Sequence, residues 1–200
     1  MELSQRIESA IRQEKGVRLS PAETRRMATL LNLQGPPLRL PSKAKRKLVD
    51  DVHIRWMIRR DMPLVLEIES QAYDLPWNEK DFINCLRQRN CIGMVAEADE
   101  QIVGFMLYEL HKRHLNILNF AVASDYRKQG VGSTMMGKLK GKLSAERRCR
   151  IISEVRESNL DAQLFCKAIG FRATDVREQF YDDTKEAAFL FEYTYQEVSS

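Results

Sequence analysis

The sequence predicts a mixed α/β domain at residues 52–197, preceded by a helical hairpin at residues 1–35 and a basic linker at residues 36–51. From Val52 onward, short apolar runs of strand length alternate with amphipathic segments of helix length. The hydrophobic share of 44% and the charged share of 30% are ordinary for a globular protein that buries a core. The helix-breaking residues Gly35, Pro36 and Pro37 end the hairpin and separate it from the rest of the chain.

The N-terminal quarter has the pattern of two short helices. The first carries an apolar stripe through Ile7 and Ile11 and ends at Gly16. The second opens on a capping signal, with Ser20 at the cap and Glu23 three residues later. Neither helix is long enough to be stable alone in water, so we expect the hairpin to pack on the main domain, on a second copy or on a partner.

The basic excess of the chain belongs to the same quarter. Residues 1–52 hold eleven Lys/Arg and six Asp/Glu, whereas the rest of the chain holds 21 basic and 22 acidic residues. A solvated extension explains this charge. A contact between residues 1–51 and an acidic surface, such as the ribosome or RNA, explains it as well.

The cysteines, histidines and apolar runs argue against metal-binding and membrane proteins. Neither CxxC nor zinc spacing is present, and with three scattered histidines the cysteines predict no metal site. Reduced cysteines, a charged N-terminus and the lack of an apolar run of membrane length predict a cytoplasmic protein without membrane contact. The oligomeric state is left open. The cysteines are Cys85, Cys91, Cys149 and Cys166.

Seven strands and four helices are predicted in the main domain. The strands are His53–Ile58, Ile92–Ala98, Ile102–Leu110, Ile117–Ala123, Ile151–Val155, Arg177–Tyr181 and Ala187–Tyr195. The helices are Asp61–Ala72, one from Pro76 through Leu86, Ser133–Glu146 and Leu160–Ile169. Asp99 and Glu100 join the second and third strands as a hairpin. The near-continuous apolar run of the fourth strand is typical of a buried central strand.

The most informative segment joins the fourth strand to the helix that follows it. The run RKQGVG spans residues 127–132, and the helix opens at Ser133. Gly130 and Gly132 tolerate positive φ and let a ligand approach the backbone closely. The first amides of a helix have no intrahelical partner and favour negative charge, so a phosphate or pyrophosphate is the expected ligand. A tight turn whose glycines only allow close strand–helix packing explains the same residues.

Four short sequence motifs follow one another along the main domain, and their order carries information about the family. They are YDLPWNEKDF at Tyr73–Phe82, NFAVASDYRKQGVG at Asn119–Gly132, EVRESN at Glu154–Asn159 and FCKAIGF at Phe165–Phe171. Together they resemble the GCN5-related N-acetyltransferases (GNAT), and within that superfamily the RimI-like ribosomal-protein alanine N-acetyltransferases. The resemblance implies the GNAT fold, with a mixed central sheet of about seven strands splayed between strands 4 and 5, and an enzyme that uses acetyl-CoA.

The resemblance also implies which residues hold acetyl-CoA. Backbone amides of the 127–132 loop would hold the diphosphate, and the fourth strand would present backbone groups to the pantetheine arm. Asn159 matches a family asparagine near that arm, although it is equally suited to cap the helix that begins at Leu160. The implied residues are Phe120, Ala121, Val122, Arg127, Lys128, Gln129, Gly130, Val131, Gly132, Ser133, Asn159 and Phe165.

Glu154 is the general base that the resemblance implies. A protonated amine cannot attack a thioester, and a carboxylate can take the proton directly or through a water. The alternative is a solvent-facing glutamate near a strand end. The chain departs from RimI-like enzymes at Phe165, where they carry a tyrosine as general acid. Tyr181 is the implied catalytic substitute and Cys166 a weaker one, while a strand-end aromatic and core filler are the plainer interpretations.

The acceptor side matches the subfamily at Leu75, Pro76 and Trp77, which would border the peptide site together with Tyr181, although Trp77 equally suits core packing. The predicted reaction is acetylation of a protein N-terminal α-amine, with a ribosomal protein as a candidate. The unperturbed pKa of an α-amine, about 7.7–8.0, leaves part of the amine neutral at cytoplasmic pH. A lysine or small-molecule amine is an alternative acceptor. Phe165 favours another alternative, a non-catalytic acyl-CoA-binding module.

Overall fold

The computed structural model describes residues 51–196. The predicted hairpin at residues 1–35, and the linker at 36–51 apart from residue 51, lie outside the described residues. The strands are β1 (His53–Trp56), β2 (Cys91–Ala98), β3 (Gln101–Leu110), β4 (His114–Val122), β5 (Arg150–Arg156), β6 (Arg172–Arg177) and β7 (Ala188–Thr194). The helices are α1 (Met62–Ala72), α2 (Glu79–Leu86), α3 (Val131–Lys140) and α4 (Leu160–Ala168).

The seven strands form one mixed sheet in the order β1-β2-β3-β4-β5-β7-β6. Strand β1 pairs with β2, β2 with β3 and β3 with β4, each in antiparallel orientation. Strand β4 pairs with β5 in parallel. The β4–β5 pairs run from His114–Arg150 to Ile117–Ser153, whereas β4 continues to Val122. The predicted α/β class, the seven-stranded sheet and the splay between strands 4 and 5 are therefore confirmed.

The described chain divides into two compact units, a larger one of residues 51–154 and 192–196 and a smaller one of residues 155–191. In the larger unit, α1 and α2 bury apolar side chains against β2, β3 and β4. That core comprises Met62, Val65, Ile68, Phe82, Cys85, Cys91, Val95, Phe105, Leu107 and Ala121. In the smaller unit, Phe171 and Phe189 are among the buried side chains.

The β2–β3 connection has the predicted hairpin turn. Asp99 and Glu100 have φ values of 51° and 61°, the left-handed pair that a two-residue turn needs to match the twist of its strands. Among the described residues, none of the helices has the length and apolar character to cross a membrane.

Helix α2 begins at Glu79, three residues later than predicted, because Asn78 supplies its cap. The Asn78 side-chain oxygen accepts hydrogen bonds from the Lys80 and Asp81 amides at 2.9 and 3.2 Å. The Asp81 carboxylate in turn accepts from the Asn78 amide at 3.0 Å. This reciprocal capping box overrides the Pro signal at position 76.

Two further predicted boundaries were wrong. Helix α3 ends at Lys140 instead of Glu146, and Gly141 follows at its C-cap. Strand β6 occupies Arg172–Arg177 instead of the predicted residues 177–181. Gln179, with φ of 52°, breaks the extended backbone after β6, so Tyr181 lies in a loop and not in a strand.

Candidate functional site

The junction between β4 and α3 has the geometry of an anion-binding turn. A short 3-10 turn at Ser124–Tyr126 follows β4, and Lys128 and Gly130 have φ values of 59° and 93°. Gly130 caps α3, and its carbonyl accepts from the Thr134 amide and hydroxyl at 2.9 and 3.1 Å. The first amides of α3 have no acceptor within the helix, so this end of the helix suits a phosphate.

Two side chains of this loop brace it from within. Arg127 Nε donates to the Val122 carbonyl at 2.9 Å, and Gln129 Nε2 donates to the Asp125 carbonyl. The loop is therefore tied to the end of β4, with its cationic Arg127 and Lys128 beside the helix N-terminus. Backbone donors together with two cations are a donor set that fits a diphosphate.

The edge of β4 that leads to this loop is already partly used. Ala123 donates its amide to the Val103 carbonyl, so by alternation the backbone groups of Phe120 and Val122 point away from β3. The Phe120 carbonyl accepts from the Tyr73 hydroxyl at 2.7 Å, and the Val122 carbonyl accepts from Arg127. On this edge, the Val122 N–H is a group suited to donate to an amide carbonyl of a bound chain.

Glu154 lies on β5 beside a polar residue of β4. Asn116, oriented so that its amide nitrogen has acceptors, donates to Glu154 Oε2 at 3.2 Å and to the Ile152 carbonyl at 3.3 Å. Glu154 is half-buried and shares a strand face with Ile152. Asn116 was missed from the sequence, where it stands just before the apolar run that marked the fourth strand. In that orientation Asn116 contacts the Glu154 carboxylate from the neighbouring strand.

A second glutamate, Glu69 on α1, lies in the interior and was not predicted as a site residue. The residue is 1% exposed. Glu69 Oε1 accepts from the Trp77 amide at 2.9 Å and from Asn119 Nδ2 at 3.0 Å. Glu69 Oε2 is buried without a hydrogen-bond partner among the described residues. Burial raises the pKa of Glu69, against the opposing effect of the two hydrogen bonds.

Glu69 therefore ties the loop at 73–78, which the sequence assigned to the acceptor, to strand β4. The sequence did contain an indication that Glu69 is buried. It follows Ile68 directly and lies on the apolar face of a predicted helix. A carboxyl buried on that face must find its hydrogen-bond donors within the protein.

Leu75 and Trp77 of this loop differ in exposure. Trp77 is half-buried, and its ring meets Phe82 edge-on with 5.6 Å between centroids. Leu75 is 55% exposed. The structure thus supports core packing for the indole of Trp77, whereas Leu75 is a large apolar side chain that the loop presents to solvent.

In the smaller unit, Asn159 caps α4. Its side-chain oxygen accepts from the Ala162 amide at 3.0 Å, as the capping interpretation predicted. Phe165 is half-buried on α4, and Cys166 is buried. The contact of Asn159 and Phe165 with acetyl-CoA stays a prediction.

Tyr181, also in the smaller unit, is held by Arg156. The guanidinium carbon lies 3.8 Å from the Tyr181 ring centroid. The same guanidinium donates to Asp183 at 2.6 and 3.2 Å and to Glu186 at 3.4 Å. Hydrogen bonding to Arg156 lowers the pKa of Asp183 below its ordinary value. Arg156 thereby orders the loop that carries Tyr181.

Within residues 51–196, no group of three or more His, Cys, Asp or Glu side chains is placed to hold a metal ion. The larger unit brings together the anion-binding loop, the β4 edge, Glu154 and the 73–78 loop. The smaller unit contains Asn159, Phe165 and Tyr181.

Residues 54–171 match the model of a protein family described as the acetyltransferase (GNAT) family. The chain is also similar to ribosomal protein bS18-alanine N-acetyltransferase from Escherichia coli K12, with 27% identity over 62% of this chain and 83% of that protein. A putative enzyme of the same name from Bacillus subtilis is 30% identical over 72% of this chain and 96% of that protein.

Solved structures show the same fold. The ribosomal-protein-S18-alanine N-acetyltransferase of Escherichia coli superposes with a TM-score of 0.65 at 23% identity, covering 75% of this chain and 97% of that one. Arabidopsis thaliana NAA60 in complex with acetyl-CoA superposes with a TM-score of 0.63 at 18% identity, covering 72% of this chain and 99% of that one.

Proposed function

Because this chain belongs to the GNAT family of acetyltransferases, we propose that it transfers acetyl from acetyl-CoA to the α-amine of a protein N-terminus. The observation that carries the proposal is Glu154 held by Asn116, in the unit that also contains the anion-binding loop. Relatives at 27% and 30% identity are named alanine N-acetyltransferases of ribosomal protein bS18, which supports a ribosomal-protein N-terminus as acceptor.

Acetyl-CoA is held by the loop after β4. Amides at the start of α3 bind the diphosphate, with Arg127 and Lys128 adding positive charge. The Val122 N–H donates to a carbonyl of the pantetheine arm. Bound in this way, acetyl-CoA supplies an activated thioester at which the acceptor amine can react.

Glu154 accepts the proton that the acceptor ammonium must lose. Asn116 donates to one carboxylate oxygen and so fixes the direction in which the base points. The amine nitrogen forms its bond to the acetyl carbon as the carbon–sulfur bond breaks, and Tyr181 gives its hydroxyl proton to the departing thiolate. The second proton of the nitrogen leaves to solvent, from which Tyr181 is reprotonated. Tyr181 thus replaces the acid that Phe165 cannot provide, and Arg156 keeps its ring in place.

An α-amine suits this base. Its pKa of about 7.7–8.0 lies far below the value near 10.4 of a lysine side chain, so less activation is needed at neutral pH. Leu75, exposed on the 73–78 loop, contacts the first side chains of the acceptor peptide. A cytoplasmic location and an RNA contact through residues 1–51 remain predictions.

Thiol release from acetyl-CoA in the presence of a peptide with a free N-terminal alanine tests the proposal. Glu154→Gln should lower kcat by about 10²–10⁴-fold while leaving the Kd for acetyl-CoA unchanged. Glu146→Gln, at an exposed residue outside the site, is the matched control. Equal turnover by Glu154→Gln would remove the general-base role. A lysine peptide with a blocked N-terminus that reacts as well as the free one would reject the α-amine.

The acid is tested by exchange of the two aromatic residues. Tyr181→Phe should lower kcat, and adding Phe165→Tyr in that background should restore part of it. Full activity of Tyr181→Phe would show that Tyr181 does not donate the proton.

A further inference from the structure

One end of the sheet in the larger unit collects strand ends that are far apart in sequence. Trp56 ends β1, Cys91 begins β2 and Leu110 ends β3, while the paired residues His114 and Arg150 begin β4 and β5. The anion-binding loop follows the other end of β4. We call the end marked by these five residues the basic end.

The connections at the basic end are rich in arginine and lysine. Residues 57–61, 87–90, 111–113 and 141–149 contain nine Lys/Arg and two Asp/Glu. The connections at the opposite end, residues 73–78, 99–100 and 123–130, contain two Lys/Arg and four Asp/Glu. The larger unit is therefore electrically polarised along its strands, with the positive pole away from the anion-binding loop.

The first two connections contribute four exposed arginines. Arg59 and Arg60 follow β1, and Arg87 and Arg89 precede β2. Asp61, the acidic residue of this stretch, is buried and receives hydrogen bonds from Arg55 at 2.7 and 2.9 Å. The main partner of its charge is thus Arg55, and among the exposed arginines Asp61 acts on Arg60 only through a weaker Coulombic interaction.

Hydrogen bonds to backbone carbonyls bring the other two connections together. Arg148 Nε donates to the His111 carbonyl at 2.7 Å, and the Cys149 amide donates to the Arg113 carbonyl at 3.2 Å. The turn before β4 and the segment before β5 therefore form one continuous surface. Its exposed cations are Lys112, Arg113, Lys142 and Arg147.

An exposed aromatic ring lies at the end of the edge strand on the same side. Trp56 is 56% exposed, and the Lys142 ammonium lies 4.5 Å from its ring centroid. Burial and the nearby positive charge of Lys138 lower the pKa of Lys142. An aromatic face among crowded cations is the combination that stacks a nucleobase and holds its phosphates.

We propose that the basic end binds RNA through the phosphate backbone. Seven of its nine cations are arginines, whose planar guanidinium matches phosphate oxygens in pairs. The surface spans five strands, about 19 Å at the usual strand spacing, which a continuous polyanion covers better than a single acidic side chain. Residues 1–52, with eleven basic and six acidic residues, have the same sign of charge and do not complement it.

Fluorescence anisotropy with a labelled single-stranded RNA of about 20 nucleotides and mixed sequence measures this binding on the full chain. The test variant is Arg113→Glu with Arg147→Glu. The control is Lys80→Glu with Arg172→Glu, which has the same net charge and alters exposed residues on α2 and β6. The test variant should bind at least about tenfold more weakly, and its salt slope should fall by about 1.4 for two lost phosphate contacts.

Three results would overturn the proposal: an unchanged affinity of the test variant, an equal loss in both variants, or competition by polyglutamate as strong as that by RNA at equal charge. The last result would indicate an acidic protein surface as the partner. If thermal unfolding shows that the glutamate variant is misfolded, Arg113→Gln with Arg147→Gln removes the contacts without reversing charge and must show the same loss. Acetylation of a free peptide should be the same in both variants, so this test is independent of the proposed function.

Discussion

Replacing Glu69 tests whether a buried carboxyl holds the acceptor loop on β4. Glu69→Leu leaves the Trp77 amide and the Asn119 side chain without an acceptor. Each unsatisfied donor costs about 1–3 kcal/mol, and removing the unpartnered Oε2 recovers about 1–3 kcal/mol once. The net loss of unfolding free energy is therefore about 1–3 kcal/mol. Glu69→Gln keeps an acceptor oxygen for both donors and should stay close to the wild type in mildly acidic solution.

The pH dependence of the Gln variant gives a sharper result. Burial raises the pKa of Glu69 in the folded protein above its ordinary value of 4.5. A group with a raised folded pKa contributes stability below its unfolded pKa and loses that contribution as pH rises through its folded pKa. Above about pH 4.5, the wild type should therefore lose stability relative to Glu69→Gln, by up to about 1.4 kcal/mol per pH unit. The difference then becomes constant once Glu69 is ionised in both states.

Urea unfolding of the two proteins from pH 4.5 to 8.5 measures this difference, and other titrating groups cancel in the subtraction. Glu67→Gln, at an exposed position on the same helix, is the matched control and should run parallel to the wild type. In a Trp56→Phe background, Trp77 is the remaining tryptophan and reports the loop by its fluorescence. Glu69→Leu should shift that emission to the red and raise the KM for the peptide, with the Kd for acetyl-CoA unchanged.

Parallel stability curves for the wild type and Glu69→Gln would refute the raised pKa. An unchanged peptide KM in Glu69→Leu, in a protein whose wild type is active, would show that the hydrogen bonds of Glu69 are structural and do not position the acceptor. Absence of activity in the wild type would instead contradict the proposed function, so the two failures are distinguishable.

Two other predictions concern the glycines of α3 and the loop of Tyr181. Gly130→Ala places a side chain at φ of 93°, which costs about 1–2 kcal/mol and should weaken acetyl-CoA binding in calorimetry. Gly137→Ala is its control, because beyond its chain neighbours and the backbone of its own helix no described atom lies within 4 Å of the added Cβ, and the helix should gain about 0.5–1 kcal/mol. Arg156→Lys cannot keep the paired bonds to Asp183 under the Tyr181 ring, so the peptide KM should rise about tenfold at constant acetyl-CoA affinity. An unchanged peptide KM would separate Arg156 from the acceptor site.

Much of the fold could be predicted because its signals are local. A few neighbouring residues are enough to recognise three of them: the turn at Asp99 and Glu100, the helix cap at Asn159 and the glycine at position 130. Boundaries failed where a neighbouring signal was stronger: the Asn78 capping box moved the start of α2, and the left-handed Gln179 kept Tyr181 out of a strand.

By itself, the sequence determined the family, the α/β order of the elements and the loop that suits a diphosphate, because these depend on short motifs and on the period of apolar residues. Only the tertiary structure decided which polar groups meet. Glu69 and Asn119 are 50 positions apart, and Asn116 reaches Glu154 only because β4 and β5 pair in parallel. The polarity of the larger unit has the same origin, since the strand register gathers four separate connections at one end. Such contacts depend on packing between distant segments, and no local pattern in the chain encodes them.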